Sequence, residues 1–365
     1  MIRAGIVGVS GFTGGELARL LLRHPEASIA WAMSTTQAGM RLSDVHRDLE
    51  GDTDIVLRAE PDADCDVVFL CVDHGTASSL LASYPWMMSR MVIDLSNEYR
   101  LQDASHDFVY GLPEAYREHI RSARHVANPG CFATAIQLGL LPLAAHGLIA
   151  DDVHVSAVTG STGAGRKAEP TVHLSWRSGN VQVYKPFTHQ HVPEIHATLR
   201  TLQPAMRSEV LFIPQRGNFT RGILASMYTS CSATEAELTT MFEAYYANHP
   251  FVVVTGDSPD LKRVVNTNKA CVWVTSHKGK VLVVSVIDNL LKGASGQAVQ
   301  NMNLMCGLEE RMVLSLYILA LLVLGCFMDP ASMMVITLPL AFPVLKELGY
   351  DPIWLGVIVT ITVEI

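Results

Sequence analysis

With 365 residues the chain is long enough for two domains, each with a core of its own, and its formal net charge of −8 comes with no basic stripe or aromatic-interleaved Lys/Arg cluster, so a nucleic-acid surface is not expected. Its seven cysteines are scattered, odd in number and without C-x-x-C spacing, which indicates neither a disulfide framework nor a zinc site. The chain starts within an apolar strand pattern rather than a charged leader and apolar h-region, so no secretory signal is expected and the bulk of it is placed in the cytoplasm.

The first element is a short buried strand from Ile2, running into Gly8-Val9-Ser10-Gly11-Phe12-Thr13-Gly14-Gly15 and then a helical pattern at Leu17, Leu20, Leu21 and Leu22. Strand, glycine loop and helix in that order suit a dinucleotide: glycines let the backbone approach a pyrophosphate, and the helix start supplies N–H donors. The spacing is G-x-x-G-x-x-G rather than G-x-G-x-x-G, so the candidate contacts are Gly8, Ser10, Gly11, Phe12, Thr13 and Gly14. A second strand ends at Met33, followed by Ser34-Thr35-Thr36 and, downstream, Arg41, with no Asp or Glu where an NAD ribose would be held. Ser34 and Arg41 therefore favour a 2′-phosphate, and the expected cofactor is NADP. Strands at Val67 to Cys71 and Met91 to Asp94, with a helix at Ala77 to Ala82 between them, continue the alternation of a doubly wound parallel sheet.

Asn128-Pro129-Gly130-Cys131-Phe132-Ala133-Thr134 comes next, a rigid turn presenting one thiol before the apolar helical run Ala135 to Ala145. A free cysteine beside an apolar run is by default a small core residue. At a helix start, however, backbone amides and the macrodipole favour a thiolate, the nucleophilic form, so Cys131 is the candidate nucleophile. The texture then becomes strand-rich, with strands expected at Val153 to Thr159, Glu209 to Pro214, Ile223 to Ser230, Phe251 to Thr255, Ala270 to Ser276 and Lys280 to Ile287, and a helix at Glu235 to Ala247: a mixed α+β domain. Within it, His189-Gln190-His191-Val192-Pro193-Glu194 offers two imidazoles for acid–base work and a carboxylate to orient one of them. H-x-H also suits a metal, but no further ligand set accompanies it, and no metal is expected. For an anionic substrate group, Ser96 and Arg100 after the strand ending at Asp94, and Ser161, Arg166 and Lys167 in a loop of small residues, are the candidates.

After Glu310 the composition changes. Uncharged stretches at Met312 to Met328, Ala331 to Leu345 and Pro352 to Val363 read as membrane-like, against the plainer alternative of a buried terminal hairpin. Three boundaries follow: a nucleotide domain at 1–130 completed by 292–309, a catalytic and oligomerisation domain at 131–291, and a tail at 311–365.

Taken together, Gly8 to Gly15, Val92 to Ser96 with Arg100, Asn128 to Thr134, Gly163 to Lys167, His189 to Ile195, Gly217 to Leu224 and Asp288 to Gln297 resemble N-acetyl-gamma-glutamyl-phosphate reductases, allied to the aspartate-semialdehyde dehydrogenases, over about residues 1–308. The resemblance implies a Rossmann-like domain with an α+β partner, and a homo-oligomer, dimer or tetramer. It further implies NADPH-dependent reduction of a small-molecule acyl phosphate through a thioester on Cys131, with His189 or His191 as acid–base and Glu194 beside them. Substrate would be held by Ser96, Arg100, Asn128, Ser161 and Arg166, and the nicotinamide side of the cofactor by Asn289, Lys292 and Gly293. This chain departs from the family in having Gln190 where Arg is usual, and Ser161-Thr162 where Ser-Gly is usual. Both changes lie near the expected substrate and leave open a sister reaction on carrier-linked aminoadipyl phosphate of lysine biosynthesis. The tail, through Leu324 to Pro330 and Leu348 to Val357, resembles a piece of the large membrane subunit of tripartite dicarboxylate transporters. The whole then reads as a reductase joined to an orphan membrane segment. Two rival readings remain: a membrane-tethered fusion whose soluble part only binds ligand, and a Cys/His hydrolase, which leaves the glycine loop without a purpose.

Overall fold

The structure, a computed structural model, describes residues 1–166 and 170–308, together with 338, 339, 342, 343 and 345. Lys167 and nearly all of the expected tail at 311–365 lie outside the described residues. Among those that are described, no helix is long and apolar enough to cross a membrane. The chain divides into two units, Met1–Met302 and Asn303–Ile365. The second unit opens on a helix end closed by Gly307 at φ 63°, its amide on the Leu304 carbonyl.

The first unit carries two sheets. One is built from β1 (Ile2–Val7), β2 (Ala27–Met33), β3 (Val67–Leu70), β4 (Met91–Asp94), β5 (Val109–Tyr110) and β6 (His125–Ala127), all parallel, in the order β2-β1-β3-β4-β6-β5. A parallel sheet buried on both faces calls for unbroken apolar runs, and β3, Val-Val-Phe-Leu, is buried throughout. Helices α1 (Phe12–Leu22), α2 (Leu42–Val45), α3 (Ala77–Ser83) and α4 (Pro113–Ser122) belong to this part. Because the strands are parallel, the chain leaves β1, β3, β4 and β6 at one edge of the sheet, the edge where ligands collect in open α/β sheets.

The second sheet is mixed: β7 (Val153–Thr159), β8 (Gln182–Val183), β9 (Val210–Arg216), β10 (Ile223–Ser230), β11 (Val252–Val254), β12 (Ala270–His277) and β13 (Lys280–Ile287), in the order β11-β12-β13-β10-β7-β9-β8. β7 alternates buried with exposed or half-buried positions, as a strand covered on one face must. The cover is α5 (Cys131–Ala145), packed on β10 and β13, with α7 (Val192–Leu202) and α8 (Glu235–Tyr246) beside it. From Phe132 to Ala144 every residue of α5 is buried, the signature of a helix that is apolar all round.

Short elements escaped the sequence reading: β5, β6 and β8 have two or three residues, too few for a period, and α4 is mostly polar. One correction bears on chemistry. Cys131 was expected in a turn preceding its helix; it is the first residue of α5, with Gly130 as N-cap.

Candidate active site

One cleft, with a cavity of about 490 Å³, lies at the carboxyl edge of the parallel sheet and is closed from the other side by loops of the second sheet. The glycine loop after β1 gives Ser10, Gly11, Phe12 and Thr13; the turns after β4 and β6 give Arg100, Asn128 and Cys131; the second-sheet side gives Arg166, His189, His191, Asn289 and Gly293. Residues far apart in the chain thus meet around Cys131.

The glycine loop fits a pyrophosphate. Gly8 has φ 78°, open to glycine at little cost, and a Cβ there would drive into the Cys71 carbonyl oxygen. Gly14 supports the loop from behind, since a Cβ would come within 2.5 Å of the Gly8 carbonyl oxygen. The N-cap of α1 is Gly11, which has no side chain to cap the helix, so the amides of its first turn are left for an anion. Ser34 does not line the cavity but touches its wall, its hydroxyl 3.1 Å from that of Ser10 and 3.5 Å from that of Thr36. Arg41 is not brought to this cluster: it heads α2 and pairs its backbone with Val56 in an isolated bridge.

Around Cys131, Glu194 is the organising residue. It is buried and accepts from Arg100 Nη1 (3.1 Å), from Tyr110 OH (2.6 Å) and from the Gly130 amide (3.1 Å), so its carboxylate clamps the cysteine turn instead of facing substrate. Arg100 also donates to the carbonyls of Asn128 (3.0 Å) and Leu95 (3.1 Å), holding the ends of β4 and β6 together while lining the cleft. Asn128 spends its side chain within the protein, donating to the Ala294 carbonyl at 3.1 Å and accepting from Asn301 at 3.1 Å. His191 lies against the Cα of Gly130, its Nε2 3.9 Å from Glu194 Oε1 and its buried Nδ1 without a hydrogen-bond partner. His189 accepts the His191 amide on Nδ1 at 3.2 Å, which leaves its Nε2 as the protonated nitrogen. Both rings pack against Phe132, and α7 starts directly after His191 with Pro193 and Glu194 in its first turn.

The electrostatics reverse one expectation. Burial pushes the Cys131 thiol up to about 11, outweighing the pull of Arg100 and of the amides at the helix start, so the free protein holds a thiol and not a preformed thiolate. Burial likewise pushes His189 down to about 4 and His191 well below the usual imidazole range, aided at His191 by the Arg100 guanidinium, so both rings are neutral near pH 7. We expect alkylation of Cys131 by iodoacetamide to climb steadily from about pH 7 to about pH 10, because thiolate accumulates only as the pH approaches the raised value. The measurement is rate against pH with Cys131→Ser as the blank; a plateau already reached at neutrality would mean that a stable thiolate exists.

Besides Arg41, three candidates stand elsewhere than expected. Ser96 is fully buried, and its hydroxyl donates to Asp94 Oδ2 at 2.7 Å, making it a turn residue at the end of β4. Ser161 donates its amide to the Phe219 carbonyl and stays off the cavity wall, which Thr162 lines in its place. Lys292 has no exposure at all and reaches Glu114 Oε1 at 2.7 Å, away from the cleft. Arg166 lines the cleft and donates to the Ser10 carbonyl at 2.6 Å, bridging the glycine loop and the loop after β7. The cleft also holds His74, Cys71 and Tyr184, which no motif announced; His74 Nε2 lies 3.1 Å from the amide of Gln190. Among the described residues no His, Cys, Asp or Glu group is arranged to hold a metal ion.

Known proteins resemble the chain over most of its length. Residues 3–123 match the family model of the semialdehyde dehydrogenase NAD binding domain and residues 131–289 that of the semialdehyde dehydrogenase dimerisation domain. N-acetyl-gamma-glutamyl-phosphate reductases from Parabacteroides distasonis and Phocaeicola vulgatus are 50% and 51% identical to the chain over 317 residues, 87% of this chain and 98% of each relative. The chain belongs to the N-acetyl-gamma-glutamyl-phosphate reductase family. It is thereby an oxidoreductase with a nicotinamide-dinucleotide domain. The fold agrees with solved aspartate semialdehyde dehydrogenases: one from Candida albicans, described with NADP, superposes with a TM-score of 0.67 at 17% identity, covering 84% of this chain and 98% of that one. One from Vibrio cholerae, complexed with ASA, gives 0.64 at 16% identity with the same coverages. Residues 278–365 match a third family model, the DctM component of tripartite ATP-independent periplasmic transporters, overlapping the end of the reductase match.

Proposed function

We propose that the protein reduces N-acetyl-glutamyl 5-phosphate to the 5-semialdehyde with NADPH, releasing phosphate, as a step of arginine biosynthesis. The observation that carries this reading is Cys131 at the start of a buried helix, facing a cleft with a glycine loop on one wall and two neutral imidazoles on the other. The family to which the chain belongs supports the substrate.

The chemistry follows from the residues. As the Cys131 sulfur bonds to the acyl carbon, the C–O bond to phosphate breaks and the thiol proton passes to His191, whose Nδ1 carries no other hydrogen bond. Arg100 offers its remaining N–H groups to the departing phosphate, with Arg166 as a second cation at the cleft. A bound nicotinamide supplies the hydride that reduces the thioester carbon. His191 gives its proton to the carbonyl oxygen, and as the aldehyde leaves, that proton restores the thiol. His189, with Nε2–H as a fixed donor, orients the acyl group. Ser34, near the glycine loop and with no acidic residue among Ser34-Thr35-Thr36, supports NADP over NAD.

The site works in an oligomer, a dimer or tetramer built through residues 131–289. The matched dimerisation domain supports this, as do the exposed Leu174, Trp176, Val181, Val183 and Phe187 on and beside β8. We place the reductase part in the cytoplasm and read residues 311–365 as a transporter-derived segment with no part in the chemistry. The deciding assay is NADP-dependent oxidation of N-acetylglutamate semialdehyde, by the full chain and by the chain ended at residue 310. Turnover that requires phosphate or arsenate, and that is equal in the two within about twofold, is expected. Turnover independent of phosphate would overturn the reading.

A further inference from the structure

Lys292 and Glu114 are both wholly buried, and their ion pair measures 2.7 Å. Lys292 Nζ also donates to Gln300 Oε1 at 2.9 Å and lies 5.9 Å from the centre of the Phe251 ring, while Glu114 Oε2 is left without a hydrogen-bond partner. A buried charge pair is a poor source of stability, because desolvation consumes much of its attraction, and an apolar pair of similar volume often serves as well. What such a pair does well is hold one conformation. Here that conformation is unusual: Leu291–Ser295 is a single π-helical turn, a feature enriched at functional sites, leading into the helix Gly296–Met305.

The turn matters through its neighbours. A Cβ on Gly293 would come within 2.9 Å of Cys131 Cβ, so the backbone of the turn is seated directly on the nucleophile. Its flanks are tied down as well: Asp288 accepts from the amides of Leu290 (2.8 Å) and Leu291 (3.1 Å), and Asn289 bridges the Gly222 amide (2.7 Å) and the Thr162 hydroxyl (3.0 Å). Asn289, Leu290, Gly293 and Ala294 all line the cleft; Lys292, in their midst, points the other way.

We infer that Lys292 is a positioning residue: its buried pair with Glu114 and its bond to Gln300 hold the Leu291–Ser295 turn against Cys131 and so set the wall on which the nicotinamide ring rests. This rests on the proposed reductase reading and adds a residue that acts without touching cofactor or substrate.

The test is the double substitution Lys292→Met with Glu114→Gln in the full chain, which removes both charges at nearly constant volume. Expected are a melting temperature close to wild type, a KM for the acyl phosphate unchanged within about twofold, an NADPH KM raised about tenfold and kcat lowered about tenfold or more, since a displacement on the order of 1 Å at a reacting centre is that expensive. Wild-type NADPH kinetics in the double variant would reduce Lys292 to a core residue and overturn the inference. Should that protein fail to fold, Gln300→Met removes one acceptor and keeps the ion pair; it is expected to raise the NADPH KM by about threefold. An unchanged value overturns the inference equally. Wild-type protein without phosphate-dependent reduction of NADP by the semialdehyde would instead point to the reductase reading itself.

Discussion

Replacing Cys131 with serine is expected to lower kcat/KM for the semialdehyde by about a thousandfold or more, while NADP still binds, because the hydroxyl is a far weaker nucleophile and no second base stands ready to ionise it. On the proposed reading the effect should fall on kcat, since phosphate and cofactor are assigned to other residues that line the cleft: Arg100 and Arg166 on one side, the glycine loop on the other. A merely structural cysteine at the head of a buried helix would tolerate Ser with a modest loss of stability and unchanged rates. The measurement is steady-state turnover with NADP and phosphate, accompanied by a fluorescence titration of NADPH. Full turnover in Cys131→Ser would remove the thioester from the mechanism.

The second large effect is at Glu194. Its carboxylate accepts from Arg100, Tyr110 and the Gly130 amide, all at buried positions, and Gln137 in turn donates to Tyr110 OH at 2.8 Å. Glu194→Ala strands a buried guanidinium and two further donors at once, which costs about 3–5 kcal/mol when one member of a buried pair is removed. A chain of this size should then melt roughly 5 to 15 °C lower. Because the Gly130 amide immediately precedes Cys131, what remains folded should also be slower by about a hundredfold, through a thiol set off its line of approach. Glu194→Gln, which keeps the volume and one acceptor, should fall between. Calorimetry beside single-turnover hydride transfer separates the two consequences. An unchanged melting temperature in the alanine variant would refute the clamp.

The elements legible in the sequence are those where a local rule has one answer. The glycine loop between strand and helix, the β-branched runs that became β7, β10 and β13, and the apolar run of α5 each follow from backbone and side-chain preferences that act over a few residues. Cys131 and the His189–Glu194 motif were visible for the same reason: reactive side chains at special backbone positions stand out in a chain. Lys292, placed by the resemblance on the nicotinamide side, lies away from the cleft, and nothing near it in the chain announces that Glu114 and Gln300 enclose it. Ser96 misled likewise, its hydroxyl being spent on Asp94 two residues earlier.

From the residues alone came the candidate nucleophile, the imidazole pair, the glycine loop between strand and helix and the α/β plan, because these depend on chemistry written within short segments. Packing alone settled three further matters: that burial outweighs the helix start and leaves Cys131 a thiol, that Glu194 serves as a clamp, and that the π-turn at Leu291–Ser295 rests on the nucleophile. Each of these turns on desolvation and on contacts between segments more than sixty residues apart, and both arise only once the chain has folded.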